Sequence, residues 1–324
     1  MKKRIYLFES GTLKREDNNI VFIFSKGNNK IYLPIHQLEC IYIYGHCNLN
    51  KEILSLLSEY KIIIFFYTFT GNYIGTFHGK YNQIGAILIN QVCCITNEQN
   101  KNIYALEIIY ASMKNMIAIL KYYNKKGTQL LSHIESIENI LKIIYDEPYK
   151  MLIYEARAKQ IYYSAFNLII KNKDFYFDKR STNPPLDPIN AIMSYGYSIL
   201  YGLIENDIYK SNLNISLPFI HGTSKRNTGL QYDIADIFKP VIIDRLIFRL
   251  INKKQLSISH FDIMDNKVLL NKIGAKLFIM ELEQTLESII TLSNNKKISY
   301  RSIIKREIHN IENSIKKIQN IMHF

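Results

Sequence analysis

The sequence predicts an α+β protein, with a small N-terminal β domain over residues 1–85 and a larger all-helical domain over residues 86–324. Two observations predict it. Up to about residue 85, apolar residues come in short β-branched and aromatic runs divided by Gly and Asn, the pattern of strands and turns. From about residue 95 they recur every three or four positions along stretches nearly free of Gly and Pro, the period of helices packed by one face.

In chain order, strands are expected at residues 5–8, 20–24, 31–33, 41–44 and 62–67, with turns at Gly11, Asn18-Asn19, Gly27-Asn28-Asn29 and Gly45. Residues 49–60 place Ile53, Leu56 and Leu57 at helical spacing after Asn48, so one helix is expected against the sheet. The glycine-rich residues 71–91 suit a β-hairpin followed by a linker. Helices are expected at residues 103–121, 130–145, 152–170, 240–250 and 273–292, and no repeat recurs at a fixed period.

Composition bounds the function. A chain of 324 residues with 48% hydrophobic residues can bury one large core or two ordinary ones. Its net charge of +13 favours phosphate-rich partners or anionic surfaces, although the general enrichment in Ile, Lys, Asn and Tyr accounts for part of the Lys excess. Cys40, Cys47, Cys93 and Cys94 lack the paired spacing of a structural zinc site. Residues 1–8 do not resemble a secretory signal, and the most apolar run, residues 62–69, is far short of the roughly 20 residues of a membrane helix. A cytoplasmic protein with reduced thiols and no membrane partner is expected.

Four acidic or imidazole side chains could carry chemistry. Glu155 begins a helix face that continues through Ala158, Tyr162, Ala165 and Ile169, so a carboxylate opens an apolar and aromatic stripe. A buried carboxylate needs a compensating cation, which can be a metal ion or simply Arg157 or Lys159. His221 ends an apolar run and opens a loop containing Lys225 and Arg226, where it could bind a metal, move a proton beside a phosphate, or do neither. Asp233 and Asp236 share one helical face just before Pro240, which has no N–H to return to the carbonyl of Asp236, so the helix should kink or restart there. Paired carboxylates at such a break suit Mg²⁺ or Mn²⁺, or else cap the following helix. Around them lie Arg157, Lys159, Lys225, Arg226, Lys239, Arg245 and Arg249, candidates for tracking a DNA backbone. A second basic segment runs from Lys296 and Lys297 through Arg301, Lys305 and Arg306 to Lys316 and Lys317.

Three stretches together resemble a known family. They are YEARAKQIYYSAFN around Glu155, NPPLDPINAIMSYGYSILYG at residues 183–202, and FIHGTSKRNTGLQYDIADIFKPVIIDRLIF at residues 219–248. The likeness is to CRISPR-associated protein one, the integrase of spacer acquisition, and within it to the lineage of class 1 type I systems. It implies a β domain joined to a helical domain, and a Mg²⁺ or Mn²⁺ ion held by Glu155, His221 and Asp236, with Asp233 as a further active-site residue. It implies transfer of the 3′-hydroxyl of a short captured DNA onto a CRISPR repeat. It also implies a homodimer, with two dimers bridged by CRISPR-associated protein two; the strand edges of the β domain make it the natural place for self-association. Ala156 and Gly222 depart from the family pattern without removing a ligand. Two rival readings are a metal-dependent nuclease of branched or single-stranded DNA that does not integrate, and a non-catalytic DNA-binding scaffold.

Overall fold

The computed structural model describes residues 2–27, 29–80, 84–221, 229–291 and 295–318. The chain divides into two compact units, Met1–Asn82 and Gln83–Phe324.

The first unit holds β1 (Lys3–Leu7), β2 (Gly11–Glu16), β3 (Asn19–Phe24), β4 (Lys30–Leu33), β5 (Leu38–Ile43), β6 (Cys47–Leu49), α1 (Lys51–Glu59), β7 (Ile63–Tyr67) and β8 (Tyr73–Phe77). They make two four-stranded sheets, in the orders β1-β5-β7-β8 and β4-β3-β2-β6. In the first, β1, β5 and β7 run parallel and β8 returns antiparallel to β7. Every residue of β5 is buried, as expected of a parallel strand covered on both faces. Tyr42 stacks on Tyr6 and Phe65 at 4.8 and 5.0 Å. The second sheet contributes Leu13, Ile20 and Phe22 to a core shared with Ile41, Ile43, Ile64 and the α1 residues Ile53, Leu56 and Leu57. Asn50, rather than Asn48, caps α1, its side chain accepting the Ile53 N–H at 3.1 Å. β2 carries Lys14, Arg15 and Glu16 and buries Leu13 between exposed and half-buried neighbours, so it shows no apolar run.

The second unit holds α2 (Gly85–Thr96), α3 (Glu98–Lys125), α4 (Leu131–Ile143), α5 (Met151–Ser164), α6 (Phe166–Ile169) and α7 (Pro188–Tyr209). Beyond these come α8 (Leu230–Phe238), a π-helical segment (Lys239–Asp244), α9 (Arg245–Asn252), β9 (Phe261–Met264), β10 (Lys267–Leu270), α10 (Lys272–Glu287), β11 (Ile289–Thr291), β12 (Lys297–Ser299) and α11 (Tyr300–Lys317). α3 is central: α2, α4, α5, α8 and the π segment all pack against it.

Four expectations are corrected here. The unit is not all-helical: β9 and β10 form a hairpin across Asp265-Asn266, and β11 pairs with β12. Strands of three or four residues are too short to establish an alternation, and β11 falls inside the apolar run that extended the expected last helix to residue 292. Residues 85–91 are not linker but the start of α2, which opens without a side-chain cap to announce it. α7 has no polar face to set a period, because most of its residues are buried, and the periodic reading passed over it. Finally, α3 is long and apolar enough to cross a membrane, contrary to the estimate from residues 62–69. Its apolar residues, among them Ile109, Met113, Ile117 and Leu120, are buried in the core of this unit.

Pro240 governs the local geometry that matters most. Lacking an N–H, it leaves the helix to continue through a π segment, in which the Arg245 N–H reaches back to the Pro240 carbonyl. The carbonyls of Asp236 and Ile237 take donors from α3 instead: Ser112 Oγ at 2.8 Å and Asn115 Nδ2 at 2.6 Å. These two bonds fix the end of α8 against α3.

Candidate active site

Glu155 stands on α5, and the face read from the sequence is the buried one, with Glu155, Ala158, Tyr162, Ala165 and Ile169 all at 9% exposure or less. Asp236 lies 4% exposed on α8. Lys159, one turn after Glu155, joins the two carboxylates: its Nζ is 2.6 Å from Glu155 Oε1 and 3.1 Å from Asp236 Oδ2. The Glu155 contact is ionic, with angles that make no directed hydrogen bond. Lys239 pairs with the other oxygen of Asp236 and lies 5.0 Å from the ring centres of both Tyr197 and Tyr201.

Burial alone would raise the Asp236 carboxyl, but the ammoniums of Lys239 and Lys159 outweigh it and hold the group well below the usual carboxylate range. Burial in turn favours neutral lysines, and the carboxylates outweigh it, raising both Lys239 and Lys159. Asp236 and the two lysines therefore hold their charges in a largely buried place.

Asp233, one turn before Asp236 on the same face, is fully buried and does different work. It accepts the backbone N–H groups of Phe219 at 2.6 Å, Ile220 at 3.1 Å and His221 at 3.2 Å. It also lies 2.5 Å from His221 Nδ1. A carboxylate there assigns the Nδ1 proton to this bond and leaves Nε2 as an acceptor. The His221 ring packs 5.7 Å from Tyr232, which meets Tyr201 edge-on at 4.6 Å.

Of the cations expected to follow DNA, Lys159 and Lys239 are thus engaged by carboxylates. Arg157 lines a separate depression with Gln160 and Ile161, and Arg245 and Arg249 line a cleft beyond the π segment. Lys225 and Arg226 lie outside the described residues. Sequence reasoning missed Asp244, buried under the site, which accepts the Tyr197 hydroxyl at 2.7 Å. Its only signal was a carboxylate inside the apolar run after Pro240.

Among the described residues, no three of His, Cys, Asp and Glu stand close enough to hold an ion. The donor set nonetheless suits a hard divalent cation. Glu155 and Asp236, close enough to share the Lys159 ammonium, offer carboxylate oxygens, and an imidazole already fixed through Nδ1 by a buried carboxylate offers Nε2.

Residues 5–284 match the family model described as CRISPR associated protein Cas1. The chain is 33% identical over 315 residues to the CRISPR-associated endonuclease Cas1 of Clostridium perfringens (strain SM101 / Type A), covering 96% of this chain and 95% of that one. A solved CAS1 protein from Thermotoga maritima shares its structure at a TM-score of 0.84 and 31% identity, over 97% of both chains. A casposase bound to integration product shares the fold at a TM-score of 0.84 and 17% identity, over 98% of this chain and 91% of that one. Matched by a family model over most of its length and by close relatives along nearly all of it, this chain belongs to the Cas1 family of CRISPR-associated proteins.

Proposed function

We propose that the protein is the metal-dependent DNA integrase of CRISPR spacer acquisition, with Glu155, Asp236 and His221 Nε2 as the ligands of one Mg²⁺ or Mn²⁺ ion. The observation that carries this reading is the convergence of α5 and α8. One ammonium, that of Lys159, is shared by Glu155 and Asp236, and the same face of α8 holds His221 through Asp233. When bound, the ion polarises the target phosphate and stabilises the charge that builds in an in-line displacement.

The reaction forms a bond between the 3′-oxygen of the captured DNA and a phosphorus of the repeat. It breaks the bond from that phosphorus to the repeat's own 3′-oxygen; the attacking hydroxyl gives up its proton to solvent and the leaving oxygen takes one up, so one 3′-hydroxyl is consumed and one released. Asp233 fixes the orientation of the imidazole, and Lys159 and Lys239 keep Asp236 ionised and ready to ligate. The two ammoniums also supply positive charge where a phosphate would enter. That the casposase of the same fold is bound to an integration product is in keeping with strand transfer.

The partners proposed are DNA, a second copy of the chain, and CRISPR-associated protein two. The sheets of the first unit offer edges for self-association at β4 and β8, where Tyr32, Tyr73 and Ile74 are exposed.

The test is to incubate a short duplex with a repeat-bearing plasmid in Mn²⁺ or Mg²⁺. Joined products are expected, at least as many with Mn²⁺ as with Mg²⁺, and none from Glu155→Ala or Asp236→Ala. Cleavage without joining would favour the plain nuclease, and joining without added metal would overturn the proposal.

A further inference from the structure

The largely apolar helix α2 buries two successive amides, Asn90 and Gln91. Asn90 donates to the Ile315 carbonyl of α11 at 3.3 Å. Gln91, fully buried, reaches instead to the turn that follows α7. Its Nε2 donates to the carbonyls of Asn214 at 3.0 Å and Leu217 at 3.1 Å, and its Oε1 accepts the Asn214 N–H at 2.8 Å. Both donors and the acceptor of one amide are thus spent on backbone that belongs to no helix or strand. A buried amide without these partners would be costly, so burial and bonding together fix the turn against α2.

Two parts of the candidate active site depend on where this turn stands. The first is the start of α8, which has no side-chain cap: the Ile215 carbonyl, inside the turn, accepts the N–H groups of Gly229 at 2.9 Å and Leu230 at 3.0 Å. Pro218, the residue after the turn, lies so near Gly229 that a Cβ there would come within 2.6 Å of its Cγ. α8 carries Asp233 and Asp236, so the turn seats the helix that presents both. The second is the stretch from Phe219 to His221, which leaves the turn directly. Its three N–H groups are held by Asp233, and Phe219 stacks on Tyr104 of α3 at 4.6 Å. With the backbone bonded at both ends, little slack is left between Leu217 and the imidazole, and a displaced turn displaces His221.

We infer that Gln91 is a positioning residue of the active site, clamping the 214–217 turn so that the start of α8 and the His221 ring keep the placement a metal ion requires. Gln91 touches none of the three ligands and acts only through the backbone of the turn. The inference rests on the reading of Glu155, His221 and Asp236 as the ligand set, while the clamp itself can be measured without metal.

The test compares the full wild-type chain with Gln91→Met, which keeps the volume and removes all three bonds, and with the milder Gln91→Asn, which keeps the amide but draws it back by one methylene. Amide hydrogen exchange is first followed by mass spectrometry in the metal-free chains. Gln91→Met should speed exchange about 10-fold at residues 219–221 and at Gly229 and Leu230, and leave the buried part of α3 unchanged; Gln91→Asn should show the same pattern to a smaller extent. Loss of protection confined to residues 214–217, or spread equally over the second unit, would overturn the inference. Strand transfer is then measured over a Mn²⁺ series. The Mn²⁺ concentration for half-maximal rate is expected to rise about 10-fold, with the rate at saturating Mn²⁺ within about threefold of wild type. A lowered maximal rate at an unchanged half-saturating concentration is what a merely structural role would give, and would contradict positioning. Exchange is read without metal or DNA, so a failure of the integrase reading and a failure of the clamp appear in different assays.

Discussion

At the scale of single residues, the two aspartates that share a face of α8 divide the labour. Asp236 faces α5 and is available to a cation, whereas Asp233 spends both oxygens on three backbone N–H groups and the His221 ring. Asp233→Asn should therefore leave donors unsatisfied, lower stability by about 3 kcal/mol in urea denaturation, and weaken Mn²⁺-supported activity by about 10- to 100-fold through the loosened imidazole. Retention of both would contradict the anchoring role.

Asp244 makes a separate prediction. Burial pushes its carboxyl up to about 7, against the Tyr197 hydrogen bond and the nearby charges of Lys239 and Arg180. Between about pH 4, the ordinary carboxylate range, and about 7 the folded chain holds a proton that the unfolded chain has released. The contribution of this group is thus greatest at the acid end and falls as pH rises through that window. Asp236, held low, has the opposite sign: it supports the fold above the ordinary range and loses that support as pH falls below it. The stability difference between the wild-type chain and Asp244→Asn should decline from pH 4 to 7 by at most about 1.4 kcal/mol per unit. A flat difference would show that Asp244 is charged in the fold.

At the scale of elements, the site depends on how closely α7, the π segment and α10 approach. Gly196 on α7 permits this: a Cβ there would lie 2.7 Å from Ile243 Cγ2 and 2.8 Å from Phe278 Cζ. Gly196→Ala should destabilise the chain by about 1–3 kcal/mol through overpacking, measured by chemical denaturation, and an unchanged midpoint would contradict the close fit. Ser112→Ala should cost about 1–3 kcal/mol, because it orphans the buried carbonyl that Pro240 cannot satisfy.

What was legible in the sequence follows from the same physics. The stripe from Glu155 to Ile169 was readable because a helix with one buried face writes its period into the chain. So was the break at Pro240, since a missing N–H is a fact about residue type. Ser112 and Asn115 were not readable as the partners of that break, because nothing local says which turn of α3 will lie opposite. Lys159 was read both as a partner of Glu155 and as a contact for DNA. Only the placement of α8 beside α5 shows it bridging two carboxylates.

At the scale of the whole molecule, the short strand-like runs up to about residue 85 fall mainly in the unit Met1–Asn82, and the helical period from about residue 95 falls in the unit Gln83–Phe324. The short hairpins β9–β10 and β11–β12 were invisible because pairing, rather than burial of a long alternating face, holds them. The excess of positive charge was also visible, but not its division. Part of it is consumed inside the carboxylate cluster, and part lines the cleft beyond the π segment. The central claim is that Glu155, His221 and Asp236 hold one divalent ion in place of the lysine bridge. Electron paramagnetic resonance titration of Mn²⁺ into the DNA-bound protein tests it most directly. One tightly bound Mn²⁺ per chain is predicted, lost in Glu155→Ala and in Asp236→Ala, and equal Mn²⁺ binding by the wild-type and variant chains would contradict it.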